Sequence, residues 1–128
     1  MKTADNEILV YYNAKSSRGK KVLALARTMA ANVKEVEYHK SPFTPTIWRR
    51  VLDMLALRPK DMLNRAAPYY QDNIRGRDFD DEGWLNILVR NPDLLIAPIV
   101  IQGKRAVLCN NPTDIYQLNN KQIKSIVV

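Results

Sequence analysis

Four cations and two hydroxyls crowd into one stretch, Lys15-Ser16-Ser17-Arg18-Gly19-Lys20-Lys21, just after the apolar run Ile8-Leu9-Val10-Tyr11-Tyr12. Residues of these types at the head of a helix can hold an anion. Free N–H groups and hydroxyls there donate hydrogen bonds, and the helix dipole favours negative charge. Asn13, Ser16, Ser17, Arg18 and Lys20 are the candidate anion ligands, and Arg65 is a further cation able to reach the same ligand. Each has a structural counter-reading. Ser16 or Ser17 can serve as a helix cap, because a hydroxyl accepts a hydrogen bond from an orphaned N–H of the first turn. The lysines can simply extend into water, and Arg65 can form a surface ion pair or cover a short helix before it.

Nucleophilic chemistry has little to draw on. A serine hydroxyl stays protonated unless a base takes its proton, and the single histidine, His39, lies after a second strand rather than beside Ser16. The single cysteine, Cys109, follows Ala106-Val107-Leu108 in an expected strand. It reads as a buried thiol, whose pKa burial would raise. One His and one Cys far apart do not suggest zinc, so no metal and no cofactor is expected. Asp80, Asp81 and Glu82 look like a carboxylate cluster, but a helix start accounts for them. Arg75-Gly76-Arg77 reads as a loop, not a phosphate-binding glycine motif.

The elements that must position these residues follow from hydrophobic spacing. Ile8 to Tyr12 is a short run of strand formers and predicts a buried strand. Val22, Ala26 and Met29, with Leu23 and Ala30 alongside, form one face of a helix. A second strand is expected over 33–38, giving a strand-helix-strand start with a parallel pairing. Thr44 followed by Pro45 predicts an N-cap and first helical position, with Ile47, Val51 and Leu55 facing inward. Pro59 is expected to start a short helix through Met62 and Leu63. Asp80 should cap another helix, with Phe79 and Trp84 as its hydrophobic staple, and Pro92 should close it. Ile99–Gln102 and Ala106–Cys109, joined by Gly103-Lys104-Arg105, read as a hairpin. A terminal helix then starts at Asn111-Pro112-Thr113-Asp114, with Ile115 and Leu118 inward. The expected fold class is α/β, in one domain with a core of about 8–118 and a tail over 119–128.

Composition narrows the classes. A chain of 128 residues, 46% hydrophobic and 26% charged, suits one globular domain. No apolar run reaches the roughly 18 residues of a membrane span. The polar start Met1 to Glu7 lacks a signal-peptide core, and a lone cysteine forms no internal disulfide, so a cytoplasmic location is expected. The net charge of +7 brings nucleic acid to mind. No helix-turn-helix or aromatic-rich RNA motif accompanies it, so the charge reads as a solvated basic face and nucleic acid is not the expected partner.

Two stretches carry a resemblance: the strand and loop from Ile8 through Leu23, and Asn91-Pro92-Asp93-Leu94-Leu95-Ile96-Ala97-Pro98-Ile99-Val100-Ile101. With Arg65 and Pro68-Tyr69 between them, the chain resembles the arsenate reductase family of thioredoxin-fold proteins, which includes the Spx-type regulators and is bacterial in type. The resemblance implies a thioredoxin-like fold, ordered β-α-β, helical insertion, β-β-α on a mixed sheet. It also implies a cis bond before Pro98, which belongs to the site as a structural residue.

The resemblance further implies what is missing. Family enzymes attack arsenate with a cysteine, surround the oxyanion with three arginines, and regenerate the thiol with glutathione and glutaredoxin. Ser16 stands in the cysteine's place, Ala97 and Asn110 in the places of two arginines, and only Arg65 matches the third. The Cys-x-x-Cys switch of Spx-type regulators falls at Ser16 and Gly19. The expectation is a redox-inactive relative with no catalytic residue, acting as a binding or regulatory module. Its partners would be a small oxyanion or a protein, since Spx-type members bind RNA polymerase. The rival expectation is a glutathione- and glutaredoxin-linked oxidoreductase acting on arsenate or a related oxyanion.

Overall fold

The computed structural model describes residues 6–119. The expected tail therefore lies, from residue 120 onward, outside the described residues. Four strands, β1 (Glu7–Tyr12), β2 (Asn32–Glu37), β3 (Ile99–Gln102) and β4 (Arg105–Leu108), form one sheet in the order β2-β1-β3-β4. β1 runs parallel to β2 and antiparallel to β3, and β3 pairs antiparallel with β4. This is the mixed sheet and the element order that the resemblance implied.

Both faces of β1 are covered, which explains its unbroken apolar run. Side chains alternate across a strand, so Ile8 and Val10 join one core while Leu9 and Tyr11 join the other. The first core holds Val22, Leu23 and Ala26 of helix α1 (Ser17–Met29), with Val100, Cys109, Ile115 and Leu118. The second is built on helices α2 (Pro45–Leu55), α3 (Pro68–Asn73) and α4 (Asp81–Arg90). Its centre is aromatic. The Tyr11 and Phe43 rings stack at 3.7 Å, and Trp48 meets both edge-on.

The capping residues act as their types dictate. Thr44 accepts from the Ile47 N–H at 3.2 Å, with Pro45 opening α2. Asp80 accepts from the Gly83 N–H at 2.8 Å, and Phe79 and Trp84 meet edge-on at 5.0 Å across that cap. A 3-10 turn spans Pro59–Met62, and α4 stops at Arg90, with Pro92 opening a 3-10 turn to Leu94.

Four expectations are corrected. The inward face of α2 is centred on Trp48, Val51 and Leu52, leaving Ile47 and Leu55 half-buried at its edges. Helix α3 was not anticipated, because it buries only Tyr70 and so carries no helical periodicity. The hairpin turn is Gly103-Lys104 alone, and Arg105 pairs with Gln102. Gly103, at φ 61°, supplies the left-handed conformation that a two-residue turn needs. Cys109 thereby falls just past β4. The terminal helix over Pro112–Asn119 is 3-10 rather than α, and its threefold repeat puts Ile115 and Leu118, three apart, on one buried side. Among the described residues, no helix is long and apolar enough to cross a membrane.

Candidate functional site

The site begins where β1 ends. Asn13 folds the loop on itself: its side-chain oxygen accepts from the Lys15 N–H at 3.0 Å, and its carbonyl accepts from the Ser16 N–H at 2.9 Å. Ser16 is extended, at φ −86° and ψ 126°, and caps α1 by accepting from the Gly19 N–H at 3.1 Å. The capping role anticipated for Ser16 or Ser17 thus falls to Ser16. The Ser17 and Arg18 N–H groups have no partner among the described residues, as the first turn of a helix leaves them. Gly19 permits the arrangement. A Cβ there would lie 3.1 Å from the Asn13 carbonyl oxygen and 3.2 Å from the Tyr12 ring.

Three other segments close around this helix head. Tyr38, expected inside the second strand, is instead the first residue past β2 and bonds through its N–H to the Tyr12 carbonyl at 3.1 Å. Burial pushes its phenol pKa up, a hydrogen bond with the Asn13 side chain opposes that, and Asp93 and Glu37 add to the rise. Ala97–Pro98 is cis, as expected, and leads into β3. Asn110 follows β4. Together these segments line an open cleft of about 430 Å³.

Of the candidate residues, Asn13, Ser16, Arg18 and Pro98 line the cleft. So do Ala97 and Asn110, the two positions where the resemblance places arginines. Ser17, Lys20 and Arg65 do not line it. Ser17 and Lys20 are exposed along α1, and Arg65 is exposed beside Asn64, with no ion-pair partner among the described residues. Sequence reasoning missed Tyr38, Asn64 and Asp93. Tyr38 reads as the apolar end of a strand, and Asp93 as the turn residue after a helix-closing proline. Nothing in their spacing links them to Ser16. His39 touches the site indirectly, its Nε2 lying 2.7 Å from Asp93 Oδ1.

Cys109 is not in the cleft wall. It is fully buried in the α1-side core, its N–H donating to the Pro98 carbonyl at 2.9 Å. Burial, with a smaller contribution from Asp114, pushes its thiol up to about 12. A raised thiol pKa favours the neutral form in the folded state. The resulting stability is complete below the ordinary thiol range and is lost as pH rises through that range toward 12. Urea midpoints should therefore fall between pH 8 and pH 9, where an unfolded thiol ionises and unfolded tyrosines, with a pKa of about 10, are still mostly neutral. Cys109→Ala should flatten that segment of the curve, and an unchanged slope would contradict the buried thiol. Among the described residues, no group of three or more His, Cys, Asp or Glu side chains is placed to hold a metal.

The geometry matches known proteins. YfgD of Escherichia coli (strain K12), described as uncharacterized, is 20% identical over 114 residues, spanning 88% of this chain and 96% of its own. An arsenate reductase from Vibrio cholerae superposes with a TM-score of 0.79 at 19% identity, covering 87% of this chain and 96% of that one. An arsenate reductase (ArsC) related protein from Brucella melitensis does so with a TM-score of 0.64 at 13% identity, covering 87% and 92%. At these identities the likeness establishes the thioredoxin-like fold. The ArsC family pattern itself runs through residues 11–118, from the end of β1 to the terminal 3-10 helix, and the chain belongs to the ArsC family.

Proposed function

We propose that this ArsC-family protein does no thiol chemistry and uses the cleft at Ser16 as a binding site for a small oxyanion or for an acidic side chain of a protein partner. One observation carries the reading: the cleft holds a capping hydroxyl where a nucleophile would stand, and the only thiol lies sealed in the core. A thiol with a pKa near 12 is ionised to about one part in a hundred thousand at pH 7, and the thiolate is the attacking species. Serine forms no sulfur–sulfur bond, so a glutathione-linked cycle has no way to close on it. What the cleft retains suits binding. The free Arg18 N–H, the Arg18 side chain and the amides of Asn13, Asn64 and Asn110, all in its wall, are donors. The Spx-type resemblance supplies an example of a non-enzymatic, regulatory use of the fold.

Arsenate reduction with glutathione and glutaredoxin is the deciding assay. The expected result is no turnover above a blank without the protein; turnover would refute the reading in favour of the oxidoreductase alternative. In the same preparation, millimolar phosphate should shift the amide signals of residues 16–20 in NMR spectra. Unmoved signals would remove the anion site.

A further inference from the structure

We infer that Asp93 is a specificity-determining residue of the cleft, selecting a tetrahedral dianion that still carries a proton, hydrogenphosphate or hydrogenarsenate, over sulfate. The inference rests on the reading of the cleft as an oxyanion site. Asp93 is the only acidic side chain among the described residues lining it, set in a wall otherwise supplied with donors from Asn13, Arg18, Asn64 and Asn110. A carboxylate in such a wall repels a dianion unless the dianion offers it a hydrogen. Hydrogenphosphate and hydrogenarsenate have one O–H donor; sulfate has none, at the same charge and nearly the same size.

The carboxylate is held for that role. His39 Nε2 lies 2.7 Å from Asp93 Oδ1, and with the ring proton on Nε2 it donates there. The other oxygen, Oδ2, has no partner among the described residues and remains an acceptor. The His39 ring is fixed from several sides. Its Nδ1 is 4.0 Å from Glu37 Oε1, whose other oxygen is 3.5 Å from Lys40 Nζ, and its ring meets that of Tyr38 at a tilt of 43° with centroids 4.6 Å apart. His39 is thus a positioning residue, acting on the ligand only through Asp93. The Asp93 side chain is 84% exposed, so water weakens both its repulsion and its hydrogen bond. The expected discrimination is about tenfold rather than the much larger factors of sealed sites.

The test titrates phosphate, arsenate and sulfate separately at pH 8, where all three are dianions, following the Ser17 and Arg18 amides by NMR. Wild-type protein should bind phosphate and arsenate about tenfold more tightly than sulfate. Asp93→Asn removes the charge and supplies a donor, and should narrow the gap to within about twofold by admitting sulfate. His39→Gln should narrow it partway. Equal binding of sulfate and phosphate by the wild type, or an unchanged ratio in Asp93→Asn, overturns the role of Asp93 and leaves the cleft an oxyanion site. A response to none of the three anions overturns the oxyanion reading and this inference with it. Because Asp93 is a surface residue, its variant is expected to fold, and the unshifted remainder of the amide spectrum verifies that it does.

Discussion

Ser16→Cys should yield a thiol that alkylates at pH 7 at least about a thousandfold faster than Cys109 of the same chain. The difference comes from ionisation. Cys109 is held to about 12 by burial, whereas a thiol at position 16 would sit half-exposed at the head of α1, beside the free Ser17 and Arg18 N–H groups and with Lys15 and Arg18 as neighbours. A helix N-terminus and nearby cations stabilise the thiolate and bring such a thiol to roughly 3.5–7.5. Iodoacetamide labelling followed by peptide mapping distinguishes the two cysteines, and its pH profile gives the pKa of the new one. A value at or above about 8.5, that of an ordinary thiol, would show that the helix head does not bear on this position. The substitution has a cost below the new thiol's pKa, where neutral sulfur is the poorer acceptor for the Gly19 N–H and losing a cap destabilises by about 1 kcal/mol; above it the thiolate accepts the bond and the cost recedes. Restored reactivity is not restored catalysis. Ala97 and Asn110 remain in the cleft wall, so arsenate turnover by this variant is expected to stay at the blank.

Trp48→Ala is expected to be the most damaging single change to the fold, lowering unfolding free energy by about 3–5 kcal/mol in urea titrations. Trp48 is 3% exposed and meets Tyr11 at 5.8 Å and Phe43 at 5.3 Å, both edge-on. Its loss opens a void between α2 and the sheet that neighbouring rings cannot fill, since Tyr11 is itself fixed by accepting from the Phe43 N–H at 3.0 Å. The consequence reaches the site, because Tyr11 is the penultimate residue of the strand that carries the Asn13 loop. Trp48→Phe keeps most of the volume and should recover more than half of the loss. A loss below about 1 kcal/mol for Trp48→Ala would mean that the aromatic cluster does not hold the second core together.

Much of this was legible in the sequence. The caps at Ser16, Thr44 and Asp80 are local events, decided within three residues by a side-chain oxygen and an orphaned N–H. The apolar run of β1 announced a strand covered on both faces, and the Phe79–Trp84 staple was readable from its spacing. Elements whose identity depends on distant packing were less visible. Helix α3 buries one residue and carries no period, the terminal helix chose 3-10 winding to seat Ile115 and Leu118, and Arg105 moved into β4 once Gly103 made a two-residue turn.

The site divides in the same way. Position 16 as the head of α1, the cis proline at 98 and the absence of a thiol beside them are properties of the chain read in order, since each depends on one stretch and its resemblance. That Asp93, Tyr38 and Asn64 share a wall with Ser16, while Arg65 and Lys20 stand outside it, was settled by how the sheet and helices stack. No local rule relates residues separated by tens of positions. Their meeting is fixed by the burial of two cores on opposite faces of β1, and that burial is what decides which polar groups border the cleft.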